Sequence, residues 1–91
     1  MSRLNLNDVR SEALFASALQ PSDLPTPVQV RVAIMLTIRR LGSHGCAARM
    51  AQEFGDAPHA AVERMRWARA MIAKSYTAPA AASARILQLA A

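Results

Sequence analysis

The sequence predicts a small all-α protein, a single four-helix domain that dimerises. Its 91 residues leave room for one domain. Hydrophobic residues make up 53% of the chain and aromatic residues only 4%, since much of the apolar content is alanine. Alanine favours helices but fills little volume, which predicts a thin core that a second copy would help to complete. The longest apolar stretch also has helix signals at both ends.

Residues 27–41 are predicted to form the central helix. Thr26 is a suitable N-cap, and Gln29 completes a capping box with it. Pro27 falls at the first helical position, where its missing N–H is not needed. At the other end, residues 39–42 place two arginines against the negative end of the helix dipole and then a glycine that can terminate the helix.

The same stretch also has a strand pattern. Between residues 28 and 38, branched apolar side chains alternate with other residues. No other segment alternates in this way, so residues 28–34 could pair only with a second copy. That alternative is a two-stranded ribbon between chains and would resemble the ribbon-helix-helix family, whose members also bind DNA. As a helix, the stretch is apolar around most of its circumference and leaves a narrow polar strip: Gln29, Thr37 and Arg40.

Prolines and glycines divide the rest of the chain into three further helices. The first is predicted from residue 7 or 8 to 20, and a proline-rich connector follows over 21–27. The third runs from residue 43 or 44 to 54, and the fourth from 58 to about 75. The fourth helix carries an apolar stripe that is expected to face the core: Ala61, Met65, Ala68 and Ile72.

The domain is expected to span residues 1–76, with an alanine-rich C-terminal tail over 77–91. The net charge of +5 and the pI of about 11.1 fit a nucleic acid or an acidic protein as the partner. No stretch is long and apolar enough to predict a membrane span, and the N-terminus lacks the apolar region of a signal peptide. A single cysteine excludes an intrachain disulfide, so a cytoplasmic location is expected.

Residues 43–75 resemble the helix-turn-helix family of DNA-binding proteins. In that family a small residue lies four positions before the glycine of the turn, and here these are Ala51 and Gly55. The small residue lets the helices approach, and the glycine permits the tight turn. An apolar residue follows the glycine by six, here Ala61. The next apolar position of the pattern holds Arg64, which is a departure from it.

The resemblance implies a transcriptional regulator that binds duplex DNA as a homodimer, with residues 58–75 as the recognition helix. The early outward side chains of that helix would face base edges or phosphates: His59, Glu63 and Arg66. Arginines near the helix ends around it would hold phosphates: Arg39, Arg40 and Arg49.

Trp67 supports an alternative, a protein-interaction module. Helical geometry places it about opposite the apolar stripe of its helix, flanked by Arg64 and Met71. A tryptophan away from the core usually packs on another part of the chain, on a second copy or on a partner protein. Arg64, Trp67 and Met71 are therefore predicted to form a dimer or partner interface.

No enzyme activity, metal or cofactor is expected. His44, Cys46 and His59 lack the paired spacing of a zinc site, and a buried, inert cysteine is the expected state of Cys46. The glycines lie in no phosphate-binding fingerprint. Binding is therefore the predicted task.

Overall fold

The computed structural model describes residues 5–76, and this part of the chain is all α-helical, as predicted. It contains three α-helices and one short 3-10 helix: α1 (Leu6–Ala16), the 3-10 helix (Pro21–Asp23), α2 (Pro27–Asp56) and α3 (Pro58–Ser75). The described residues contain no strand, so the ribbon alternative for residues 28–34 is wrong. None of these helices is long and apolar enough to cross a bilayer. The predicted tail at 77–91 lies outside the described residues.

Helix α2 occupies the region where two separate helices were predicted. Its start agrees with the prediction: the Thr26 hydroxyl accepts the Gln29 N–H at 3.2 Å, and Gln29 Oε1 accepts the Thr26 N–H at 2.9 Å. The helix spans 30 residues, but Gly42 has φ 72° and ψ 166°, which are not helical values. We name the part before this bend α2N, residues 27–41, and the part after it α2C, residues 43–56.

Gly42→Ala is expected to lower the free energy of unfolding by about 1–3 kcal/mol, because a side chain is strained at this backbone conformation. An added Cβ would meet no atom within 4 Å, so the effect isolates the backbone. Gly55→Ala is the matched control, since Gly55 is helical and equally open. It should raise stability by about 0.5 kcal/mol. Urea unfolding measures both, and two equal shifts would mean that the chain does not bend at Gly42.

Helix α1 ends at Ala16, whereas the prediction extended it to Gln20. The hydroxyl of Ser17 donates to the Leu14 carbonyl at 2.7 Å, and the Ser17 N–H donates to the same oxygen at 3.1 Å. Such local bonds from a serine compete with continued helix. The helix begins at Leu6, slightly earlier than predicted, and Asn5 caps it by accepting the N–H groups of Asn7 and Asp8.

The core lies where α1 packs between α2 and α3. All of the second half of α1 except Glu12 is buried, from Ser11 to Ala16. The buried stripe of α3 is the predicted one, and the Phe15 ring stacks on Phe54 with centroids 5.8 Å apart. Within residues 5–76, the hydrophobic core residues are Ala13, Leu14, Phe15, Ala16, Val30, Ile34, Cys46, Ala61, Met65, Ala68 and Ile72. Four of these 11 are alanines, which makes the core thin.

Candidate functional site

The side chain of Arg64 on α3 binds the C-terminal end of α1. Its Nε donates to the Phe15 carbonyl at 2.8 Å, and its Nη2 donates to the carbonyls of Ser17 at 3.0 Å and Leu19 at 2.9 Å. Its Nη1 lies 3.3 Å from Gln20 Oε1. The last carbonyls of a helix have no partner within it, so Arg64 supplies a donor to the Phe15 carbonyl of α1 and further donors to the turn that follows α1.

This arrangement gives Arg64 a role within the chain, and the dimer or partner interface predicted for it stays a prediction. The guanidinium is half-buried, and its donors are directed at acceptors within the chain. Burial lowers the pKa of this guanidinium and the nearby Glu53 carboxylate raises it, and an arginine remains cationic in either case. The signal in the sequence was the departure of Arg64 from the helix-turn-helix pattern, where an apolar residue was expected.

Trp67 and Met71 are half-buried and pack against the core. The connector covers part of them, because Pro21, Leu24 and Pro25 line the same shallow groove on this side of α3. The Arg64 guanidinium lies 5.1 Å from the centroid of the Trp67 ring. The chain itself therefore reduces the area that Trp67 and Met71 offer to a partner, and their role in an interface stays a prediction.

The side chains predicted to contact DNA are all exposed: Arg39, Arg40, Arg49, His59, Glu63 and Arg66. None of them forms a side-chain hydrogen bond or an ion pair with another residue of the described range 5–76. Unpaired guanidinium groups at a surface are suited to bind phosphate, because their planar donors match its oxygens.

The structure brings Arg40 and Arg49 to the same end of α1. Arg40 of α2N lines a groove with Ser17 and Leu19. Arg49 of α2C lines a second, polar groove that also includes Ser17, together with Glu53. Ser17 lines both grooves, so each arginine shares a groove with this residue. Arg40 precedes the bend at Gly42 and Arg49 follows it, and residues from both halves of α2 lie beside the end of α1.

His59, Glu63 and Arg66 form a different surface, on α3. Their spacing of four and three residues puts them on one face, opposite the buried stripe of that helix. This face carries one permanent positive charge and one negative charge. It therefore attracts phosphate less than the pair of arginines at the end of α1, although its side chains can meet base edges.

A surface that the sequence did not predict lies on α2N. Thr37 was predicted to belong to the narrow polar strip of this helix, but it is buried, and its hydroxyl donates to the Ala33 carbonyl at 2.7 Å. The side of the helix that carries Thr37 faces the core, and four apolar side chains are exposed instead. We name them the outer α2N face: Val28 (58% exposed), Val32 (43%), Met35 (46%) and Leu36 (55%). Because apolar residues surround most of α2N, polarity alone could not identify the buried side.

Cys46 is fully buried, as expected for an inert cysteine. Burial raises the pKa of its thiol, the Glu12 carboxylate adds to that rise, and Arg40 opposes it. The thiol is therefore neutral near pH 7 and is a poor nucleophile. Within residues 5–76, no three His, Cys, Asp or Glu side chains lie close enough together to hold a metal ion.

The pair formed by α2C and α3 shares one feature with the helix-turn-helix pattern and lacks others. Ala61 is buried, as the resemblance implies. Gly55 is helical and has no atom within 4 Å of an added Cβ, and Ala51 is exposed, so neither permits a close approach of helices. Only Ala57 separates the two helices. Comparison of the chain with protein-family models, curated proteins and solved structures finds no match.

Proposed function

We propose that the protein binds duplex DNA, with Arg40 and Arg49 as its principal phosphate contacts. The observation that carries this proposal is the position of two exposed guanidinium groups in grooves that share Ser17, neither of them paired with another residue of the range 5–76. Phosphate contacts from arginine supply most of the affinity of a basic protein for DNA. The net charge of +5 favours the approach of such a polyanion.

A role in transcription regulation requires some preference for sequence, which phosphate contacts do not give. Arg66 and Glu63 on the outer face of α3 are the side chains that can supply it. Arginine donates to guanine O6 and N7, and glutamate accepts from the amino group of cytosine. His59 precedes them on the same face, and Arg39 adds a further exposed cation at the end of α2N.

The alternative function, docking of a partner protein through Arg64, Trp67 and Met71, has less support. Arg64 is engaged with the end of α1, and the connector covers part of the other two side chains. A docking surface on this protein is better sought on another helix.

A fluorescence-polarisation titration with a generic labelled duplex, repeated over a salt series, tests the proposal. The logarithm of the binding constant should fall linearly with the logarithm of the salt concentration, with a slope of about −0.9 for each phosphate contact. If Arg40 and Arg49 each contact one phosphate, these two contacts alone should give a slope of about −2. Absence of binding at about 50 mM salt, or binding that ignores salt, would contradict the proposal. Competition with mixed-sequence DNA then shows whether any sequence is preferred.

A further inference from the structure

The outer α2N face lies on the side of the helix that points away from the core. At about 100° per residue, Val28, Val32 and Met35 form a stripe opposite the buried Val30 and Ile34. Single exposed apolar side chains are common on proteins, but a contiguous patch of them usually marks an association site.

An apolar trough runs beside this stripe. Two shallow grooves along α2N share Leu19, Ala33 and Leu36, so they form one continuous surface between the helix and the segment that follows α1. The trough begins beside Asp23 and ends beside Arg40. Its two ends therefore carry opposite charges, and its length, judged by the helix rise between residues 28 and 40, is about 18 Å.

From these features we infer that a second copy of this chain docks here, with the two α2N helices antiparallel about a two-fold axis near residues 32 and 35. A two-fold interface uses the same patch on both copies, so the patch must complement itself. The antiparallel arrangement brings Arg40 of each copy close to Asp23 of the other copy, so the dimer contains two such charge pairs. A parallel arrangement would instead place the two Arg40 side chains together, which like-charge repulsion disfavours.

The charges distinguish a second copy from the tail of the same chain. Residues 77–91 contain one cation, Arg85, and no acidic side chain, so they offer no side-chain carboxylate to Arg39 or Arg40. A second copy offers Asp23 and also supplies apolar area to a protein whose own core is thin. The inferred dimer contact on α2N is separate from the contact predicted at Trp67 and Met71, which stays a prediction, and this inference does not depend on DNA binding.

Analytical ultracentrifugation of the full chain over a concentration series, without DNA, tests the inference. Wild-type protein should dimerise, and Val32→Glu should weaken self-association by at least about 100-fold, because each copy would bury an unpaired carboxylate. Val62→Glu is the matched control. Val62 is an exposed helical valine of nearly equal exposure, 40% against 43% for Val32, but it lies on α3. Its variant should dimerise like wild type, with circular dichroism unchanged in both.

The orientation of the helices has its own test. Asp23→Asn and Arg40→Gln should each weaken the dimer by about 3- to 10-fold, and the double variant should be no weaker than the poorer single variant. Asparagine keeps an oxygen for the Gln20 N–H, which Asp23 Oδ2 accepts at 2.9 Å, so the local turn is preserved. Strictly additive effects would overturn the antiparallel pairing of these charges.

Three outcomes would overturn the inference as a whole. Wild-type protein that stays monomeric at the highest concentration tested would exclude the dimer. Equal effects of Val32→Glu and Val62→Glu would move any interface away from the outer α2N face. A monomeric wild type whose Ile86→Glu/Leu89→Glu variant self-associates would show that residues 77–91 cover this face instead. Because these measurements contain no DNA, failure of the dimer is separable from failure of the DNA-binding proposal.

Discussion

Replacing Arg64 with methionine is expected to lower the free energy of unfolding by about 2–4 kcal/mol. Methionine retains an apolar stem similar to that of arginine but has no N–H groups. The variant would remove the N–H donors that Arg64 supplies to three carbonyl groups at and after the C-terminal end of α1, those of Phe15, Ser17 and Leu19. Urea unfolding followed by circular dichroism measures the change.

Arg66→Met is the matched control for this prediction. Arg66 belongs to the same helix but is exposed, and it makes no side-chain hydrogen bond within residues 5–76. Its loss should change stability by no more than about 0.5 kcal/mol. Arg64→Lys should fall between the two, because lysine keeps the charge but not the planar fork of donors. If Arg64→Met and Arg66→Met were equally stable, the bonds to the end of α1 would contribute nothing.

The parts of the fold that depend on local chemistry could be predicted from the sequence. The capping box of Thr26 and Gln29 forms as expected, and the stripe at helical spacing on α3 is the buried one. The end of α1 was predicted four residues too late. The Ser17 hydroxyl donates to the Leu14 carbonyl and so competes with the next helical hydrogen bond, which a pattern of apolar residues does not show.

The features that depend on distant parts of the chain could not be predicted. Arg64 and Phe15 are 49 residues apart in the sequence, so the bond between them required the three-dimensional packing. The sequence also did not determine which side of α2N is buried. Thr37 can be buried because its hydroxyl donates to the Ala33 carbonyl, and a polar residue is therefore no reliable mark of the exposed side. The sequence also could not show that Arg40 and Arg49 line grooves that share Ser17, because this depends on how α2 packs against α1.

The double variant Arg40→Ala/Arg49→Ala is expected to bind duplex DNA about 10- to 100-fold more weakly than wild type at about 0.1 M salt. Each phosphate contact that is lost also removes about 0.9 from the magnitude of the salt slope, so the slope should become shallower by about 2. Both side chains are exposed and unpaired within residues 5–76, so the helical signal should not change. Polarisation titrations over a salt series measure affinity and slope together.

The control variant also removes two arginines, but on a different surface of the protein. Arg10→Ala/Arg69→Ala alters the opposite end of α1, where Arg10 lies over the Tyr76 ring and Arg69 lines a groove with Asn7. Both variants carry the same net charge, so a general loss of positive potential would weaken them equally. Equal slopes would therefore remove Arg40 and Arg49 from the site. Because Arg40 also contributes to the inferred dimer, the titrations are compared at protein concentrations where sedimentation shows the same oligomeric state for every variant.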